Sequence, residues 1–500
     1  MELQATNDEI NELEQSFLKF ARGVLSHMER WIRVEGLTGF NYFAHSFGEN
    51  SYNRWAEVTA EYGTLLQGHM QDLLAMEETQ QCVQRHIQAD VLLPSLRENK
   101  KTEATENAPQ NGSLSQQTER QVVLDLFVPL LESINLHDTF SPADEQLLAQ
   151  YRRLIALWSD SLERVDITFP LVNFSCDAKE SQLLSTHLFL RPLTPADKTA
   201  LWNDDAKNFT FSEPPLDART LMSLSWKLSG TYAFLKNGPP NPNTTKQEVL
   251  HELGDIVTAL RLLKKGDVGA PAIYEKNQRP VLWQGIRMVN VLGNQQVRQF
   301  PLSPFQYYEL SEHNIPDLRE LSKALHQLRT GRPQASLYGD MTLALRRFNQ
   351  SYNRILPEDQ IIDLTIALES SLLTKERGEE LSYRLSLRGT ALLMPRGVWE
   401  PGKSQALLKV MYDIRSKIVH DGRLLSDLEK DIKKKLQHVG IPPREFPQQC
   451  EDIVRDVLKE YVLREEATGQ SMEQINEKLD KFIVQSLKLQ SHPGEQVASE

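Results

Sequence analysis

Residues 357–373 carry apolar side chains on two faces of one predicted helix, and this stretch constrains the fold more than any other. Pro357 suits the first helical position, because its fixed φ and missing N–H fit a helix start. One apolar stripe holds Ile361, Leu364, Leu368 and Leu372, and a second holds Ile362, Ile366 and Leu373. A helix that is apolar on two faces packs at the centre of a bundle. Glu369 lies on the second stripe, so its carboxylate must be paired or neutralised.

The remaining sequence divides into segments of different pattern. Residues 1–97 predict an N-terminal helical region, residues 98–120 (ENKKTEATENAPQNGSLSQQTER) have almost nothing to bury and predict a flexible linker, and residues 121–160 predict a further helical segment. Short strand patterns such as VDITFPLVNF and HLFLRPL make residues 161–300 a mixed α/β domain. From 301 to 500 one helical pattern follows another. The predicted fold class is therefore mainly α, with a C-terminal helical bundle.

Composition narrows the cellular setting. No apolar run approaches the length of about 18 residues that a membrane span needs, and the polar start MELQATNDEI does not resemble a signal peptide. The three cysteines, Cys82, Cys176 and Cys450, are far apart in the sequence, which argues against a disulfide framework or a cysteine-based zinc site. We therefore expect a cytoplasmic protein with no membrane partner.

The charge distribution leaves nucleic-acid chemistry open. The net charge of −12 has the wrong sign for a protein that coats nucleic acid. Residues 371–440, however, hold 14 lysines and arginines against 9 acidic residues. A small nuclease site needs only a local basic patch of this kind, although a solvated helical face explains the same excess.

Residues 397–404, GVWEPGKS, fit the phosphate-loop pattern G-x-x-x-x-G-K-[ST]. A phosphate loop follows a buried strand, whereas the segment before Gly397 has a helical pattern. Pro401 also removes a backbone N–H that the loop would use, and Trp399 adds bulk to a turn that must be tight. We interpret the stretch as a connector in which Ser404 caps the next helix, and we do not expect an NTPase.

The same region contains RSKIVH, which places Arg415 and His420 five residues apart. The spacing is weak evidence by itself, because RGVLSH gives Arg22 and His27 the same separation. The chemistry of the pair is more informative. RNA carries its own nucleophile, the 2′-hydroxyl, so cleavage needs a proton shuttle, which histidine supplies, and a cation for the charge that develops on phosphorus, which arginine supplies. Neither a metal nor another cofactor is required.

In an ideal helix Arg415 and His420 do not share a face. They can still meet one phosphate if the helix end at Gly422 leaves the histidine some latitude, or if two copies of the helix face each other across a two-fold axis. The alternative is purely structural, with a histidine that caps the helix and an arginine paired with Glu369 or Asp413.

Three stretches in this order, LALRRFNQSYNRILPEDQIIDLTIALESSLL, ELSYRLSLRGTALL and LLKVMYDIRSKIVHDG, resemble the Apea-like branch of the HEPN (higher eukaryote and prokaryote nucleotide-binding) superfamily. The resemblance spans roughly residues 337–425. It implies a helical bundle over 301–500 that forms a homodimer and cleaves RNA without metal, leaving cyclic phosphate ends. In such proteins this activity usually serves antiphage defence or acts as a toxin. The family motif R-x4-6-H falls on Arg415 and His420, with Ser416 at the polar position after the arginine.

Further roles follow from the same resemblance. Glu369 is a candidate supporting residue, and Lys417, Arg384 and Arg388 are candidates for contacts with the RNA backbone. The two arginines can equally be structural partners of Glu369. The chain has His-Asp-Gly where relatives often have His-Gly. Residues 1–160 resemble nothing recognisable and are candidates to bind a trigger or a regulatory partner. The alternative function is a HEPN module without catalytic activity that dimerises, binds nucleotide or acts as an antitoxin-like partner.

Overall fold

The structure is a computed structural model that describes residues 7–35, 40–47, 52–59, 68–88, 119–120, 122–124, 126, 142–159, 162–185, 187–199, 201, 224–235, 242–269, 273–277, 287–289, 307–330, 336–373, 380–464 and 472–491. It is mostly helical with a small antiparallel sheet, in agreement with the predicted mainly α class. All but the last two residues of the predicted linker, 98–120, lie outside the described residues.

The helices are α1 (Asn7–Glu35), α2 (Met70–Ala75), α3 (Glu77–Gln88), α4 (Asp144–Ser159), α5 (Pro242–Leu263), α6 (Ile315–Thr330), α7 (Ser336–Ser351), α8 (Pro357–Leu372), α9 (Leu381–Leu393), α10 (Pro401–Asp421), α11 (Leu425–Leu436), α12 (Phe446–Leu463) and α13 (Met472–Ser491). The strands are β1 (Phe40–Phe47), β2 (Tyr52–Thr59), β3 (Leu162–Leu171), β4 (Phe174–Cys176), β5 (Gln182–Leu183), β6 (Leu188–Pro192), β7 (Trp226–Leu235), β8 (Ile273–Asn277), β9 (Arg287–Val289) and β10 (Tyr308–Leu310). In the part of the chain that the structure describes, no helix is both long enough and apolar enough to cross a membrane.

The chain forms two compact units whose segments alternate along the sequence, whereas the sequence pattern predicted consecutive domains. The first unit contains residues 1–170, 192–248 and 271–298, and the second contains residues 171–191, 249–270 and 299–500. Each unit is described by itself below.

The helical core of the first unit is built from α1, α3 and α4. Helix α1 buries Phe17, Phe20, Val24 and Met28, which recur at three- and four-residue steps and so fall on one face. Two parallel hydrogen bonds of 2.7 Å from Arg152 to Glu14 join α4 to α1.

Strands β1 and β2 correct the prediction that residues 1–97 are helical. They pair antiparallel over their full length, with Phe40 opposite Thr59 and Phe47 opposite Tyr52. The segment is rich in aromatic residues, which favour strands, and Gly48 and Asn50 are residue types that favour turns. The sequence therefore carries a signal for a strand pair here.

The predicted strands of the 161–300 region are confirmed. Within the first unit β3 pairs antiparallel with β8, placing Ile167 opposite Glu275, and β8 pairs antiparallel with β9. The Thr231 hydroxyl on β7 donates a 2.6 Å hydrogen bond to Asp166 on β3. In the second unit β5 pairs with β6, and β4 pairs in parallel with β10.

The second unit is dominated by helices α6 to α13, which are helical as predicted. Helix α8 begins at Pro357 as expected and packs against α7, α9, α10, α12 and α13. All four residues of its first stripe, Ile361, Leu364, Leu368 and Leu372, are fully buried. Ile362 and Ile366 of the second stripe are only half-buried, although Leu373 is buried. Helix α8 is therefore the centre of the unit on one side and partly exposed on the other.

Helices α9 and α10 approach each other closely at Gly389. A Cβ atom added there would lie 2.6 Å from Leu408 Cδ1 on α10 and 3.6 Å from Leu372 Cδ1 on α8. Leu408 and Leu372 are themselves fully buried. The missing side chain lets α10, which carries Arg415 and His420, pack tightly against the bundle.

Candidate functional site

The connector before α10 does not have the geometry of a phosphate loop. Helix α9 and a short 3₁₀ turn precede it in place of a strand, and Gly397 adopts the left-handed conformation with φ 63°. The Trp399 indole N–H donates a 2.7 Å hydrogen bond to Asp456, which fixes the connector to α12. Helix α10 starts at Pro401 and not at Ser404, so the expected capping role of Ser404 is wrong. The Ser404 hydroxyl is buried and bonds the Pro401 carbonyl and the Thr390 hydroxyl.

Arg415 lies on α10 where that helix faces α8. Its Nη2 atom is 3.4 Å from Glu369 Oε2, so of the two partners left open for Arg415, Glu369 and Asp413, it pairs with Glu369. The two side chains are 22% and 23% exposed, so the pair sits at the edge of the core and not within it. Within the described ranges, the solvent-excluded Arg415 Nε has no hydrogen-bond partner. The guanidinium is therefore held in place with most of its donor capacity unused.

The electrostatics of this edge are set by three side chains. Burial raises the pKa of the Glu369 carboxyl, and the nearby Arg415 guanidinium opposes that shift. Tyr412, one turn before Arg415 on α10, has a raised pKa because of burial and, secondarily, because of the Glu369 carboxylate. Sequence reasoning missed Tyr412. Its position three residues before Arg415 in the predicted helix was the signal that could have found it.

His420 occupies the last turn of α10, and it is exposed. The helix continues to Asp421 and ends at Gly422, which has φ 64° and whose left-handed conformation closes the helix. Among the residues that the structure describes, none forms a hydrogen bond or an ion pair with the His420 ring. The imidazole is therefore not used as a helix cap, and it faces solvent.

One chain does not bring Arg415 and His420 together. Because α10 is regular up to Asp421, the two residues are separated by about 7.5 Å along the axis and about 140° around it. Arg415 points toward α8, whereas His420 lies on the exposed side of the helix with Val419, which is 47% exposed, and the half-buried Ser416. Because the helix is regular to its end, His420 is not displaced toward the face that carries Arg415. A second copy of the helix is the remaining route by which both residues reach one phosphate.

Lys417 and Asp413 lie on the side of α10 that faces α11. Lys417 Nζ is 2.6 Å from Asp431, and Asp413 accepts a 2.5 Å bond from Lys435 Nζ. Asp413 is thus paired with a lysine, so it is not the partner of Arg415. The Lys417 pair is half-exposed, and an exposed pair of this kind exchanges partners at little cost.

Of the two arginines on α9, Arg388 cannot contact RNA. Its side chain is 3% exposed, its Nε and Nη2 atoms donate to the two oxygens of Asp480 at 2.8 and 2.7 Å, and Nη1 donates to the Leu372 carbonyl at 2.7 Å. Of the two alternatives the sequence left open for Arg388, the structural one therefore holds, but its partner is Asp480 of α13 and not Glu369. The partner could not be predicted because α13 lies about 90 residues further along the chain, and sequence pattern does not show which helices meet. Arg384 is exposed.

The second Arg–His pair of the sequence has a local structural role. Arg22 forms an ion pair with Asp144, which joins α1 to α4 in the first unit. The His27 Nδ1 atom lies 2.9 Å from the Gly23 carbonyl of its own helix. His27 is thus bonded within its own helix, whereas the exposed His420 ring has no partner among the described residues.

Comparison with known proteins adds no constraint. No protein-family model matches the chain, and no match is found among curated proteins or solved structures. The resemblance to the HEPN superfamily therefore rests on the quoted motifs alone.

Proposed function

We propose that this chain is a HEPN endoribonuclease that acts as a homodimer. The observation that carries the proposal is the state of the two motif residues on α10. Arg415 is positioned at the edge of the bundle with unused donors, and His420 is exposed without a partner among the described residues. Two copies related by a two-fold axis through this side of α10 would supply two arginines and two histidines to one cleft.

The proposed reaction needs only these groups. The 2′-oxygen of the RNA attacks phosphorus, the bond to the 5′-oxygen breaks, and the products are a 2′,3′-cyclic phosphate and a 5′-hydroxyl. The 2′-hydroxyl loses one proton and the leaving 5′-oxygen gains one, so the step balances. The imidazole of His420 accepts the first proton and donates the second. Arg415 holds the phosphate and stabilises the negative charge that develops on it. Ser416, between the two residues on the exposed side, is a supporting polar contact.

The wider role is part of the same proposal. A nuclease of this kind acts in the cytoplasm on cellular or phage RNA, as an antiphage or toxin-type effector. Arg384 and Lys417 are the remaining candidates for backbone contacts, since Arg388 is buried. A trigger or regulatory partner is proposed to act through residues 1–160.

Cleavage of total RNA in excess EDTA tests the proposal. Wild-type protein should produce fragments with 5′-hydroxyl and cyclic phosphate ends, whereas His420→Ala and Arg415→Ala should not. His438→Ala is the matched control, because His438 is also exposed and is also followed by a glycine, Gly440, in the left-handed conformation. That variant should cleave like the wild type.

The runner-up is a HEPN module that does not cleave RNA and instead dimerises, binds nucleotide or regulates a partner. One observation favours it, namely that Glu369 already pairs with Arg415 in the single chain. If a purified dimer leaves RNA intact even with a phage-derived activator, the module replaces the nuclease.

A further inference from the structure

The ion pair between Arg415 and Glu369 is unusually loose for a partly buried arginine. A single contact of 3.4 Å joins them, whereas Arg388 and Arg152 each make two parallel bonds of 2.7–2.8 Å to their carboxylates. Charge-assisted bonds of that shorter length are the strong ones. The Arg415 guanidinium is thus oriented by Glu369 without being saturated by it.

Glu369 is also a poor permanent site for a negative charge. It lies on the second stripe of α8 between the apolar residues Ile366 and Leu373, and its burial favours the neutral carboxyl. Among the residues that the structure describes, the charged and titratable groups coupled to it are Arg415 and Tyr412, both on α10. When Arg415 moves to another anion, this described set holds no second cation that would stabilise the carboxylate.

We propose that Glu369 is a displaceable counter-ion, which occupies Arg415 in the free protein and must be replaced there by a backbone phosphate of the RNA. The inference rests on the proposed function, because the competing anion is the phosphate that Arg415 would hold. Glu369 then acts as a positioning residue with a restraining effect. It keeps the guanidinium oriented and weakens binding of RNA until the phosphate displaces it.

Binding of an RNA oligonucleotide made uncleavable by 2′-O-methylation tests this directly, because binding is measured without cleavage. Fluorescence anisotropy should show that Glu369→Gln, which keeps the shape of the side chain, binds about 3- to 10-fold more tightly than the wild type. Adding Arg415→Gln to that variant should abolish the gain.

The matched control is Asp431→Asn. It removes one negative charge from a pair with a basic residue of the same helix, Lys417, and leaves Arg415 untouched. If Asp431→Asn tightens binding as much as Glu369→Gln, the effect is one of net charge and the inference is overturned. Equal affinities of Glu369→Gln and wild type overturn it as well.

The pH profile separates a displaceable counter-ion from a residue with a merely structural role. Lowering the pH neutralises Glu369 and releases Arg415, so the affinity difference between wild type and Glu369→Gln should narrow as the pH falls. A difference that does not change with pH contradicts the proposal. Tighter binding by Glu369→Gln, together with a wild-type protein that never cleaves unmodified RNA, would instead leave this inference standing and overturn the nuclease.

Discussion

Replacing Asp480 with alanine tests whether Arg388 is a structural residue, as its contacts indicate. Asp480 is 48% exposed, so truncating its side chain removes little buried packing by itself. Arg388, in contrast, is 3% exposed, so the truncation would leave its buried positive charge without the carboxylate that accepts two of its hydrogen bonds, while the bond to the Leu372 carbonyl remains. Removing one partner of a buried ion pair lowers the free energy of unfolding by about 3–5 kcal/mol. Because the bond to the Leu372 carbonyl remains, we expect a value near the lower limit, about 3 kcal/mol.

The assay is chemical denaturation followed by circular dichroism, with the transition of the second unit compared between variants. Asp431→Ala is the control, because Asp431 also pairs with a basic residue but belongs to an exposed pair. It should unfold close to the wild type. Combining Arg388→Met with Asp480→Ala should restore most of the lost stability, because an apolar side chain of similar volume replaces the buried charge. If Asp480→Ala and Asp431→Ala unfold at the same denaturant concentration, the structural role of Arg388 is refuted.

Three further predictions concern other parts of the chain. In the first unit His86 is buried and neutral, with Nδ1 donating to the Cys82 carbonyl and Nε2 accepting from the Tyr151 hydroxyl, and burial lowers its pKa to about 4. The stability that neutral His86 contributes is complete above the unfolded pKa of about 6.5 and is lost as the pH falls toward 4. Amide exchange should therefore show α3 about 2 kcal/mol less protected at pH 5 than at pH 7. The variant His86→Gln should largely remove this difference between the two pH values. Gly389→Val should destabilise the second unit by about 2–3 kcal/mol in denaturant titrations, because its side chain would collide with Leu408. The purified protein should not hydrolyse ATP, and Lys403→Ala should change neither this result nor RNA cleavage; ATP turnover that the variant loses would restore the phosphate-loop interpretation.

The sequence predicted the elements that local pattern controls. The first stripe of α8, its start at Pro357 and the strands β3 and β6 follow from periodicity and residue type, and all are confirmed. Helix α10 shows the limit at element boundaries. Ser404 was expected to cap that helix, but the helix starts three residues earlier, at Pro401, so the residue that looks like a cap lies inside it.

The site was predictable only in part, because its contacts join residues that are distant in the sequence. The pairing of Arg415 with Glu369 spans 46 residues and was one of two alternatives that the pattern left open. The burial of Arg388 against Asp480 depends on where α13 packs, and no local signal carries that information. The exposure of His420, in contrast, followed from its place near the glycine that ends α10.

Mixing two inactive variants tests the central claim most directly. If the shared cleft holds two sites, each with Arg415 from one protomer and His420 from the other, a dimer of one Arg415→Ala chain and one His420→Ala chain retains one complete site. After random exchange of subunits half of the dimers are mixed, so the mixture should recover about a quarter of the wild-type RNA cleavage, while each variant alone stays inactive. A mixture as inactive as its components would contradict a shared cleft, and cleavage by either variant alone would contradict the assignment of the two residues.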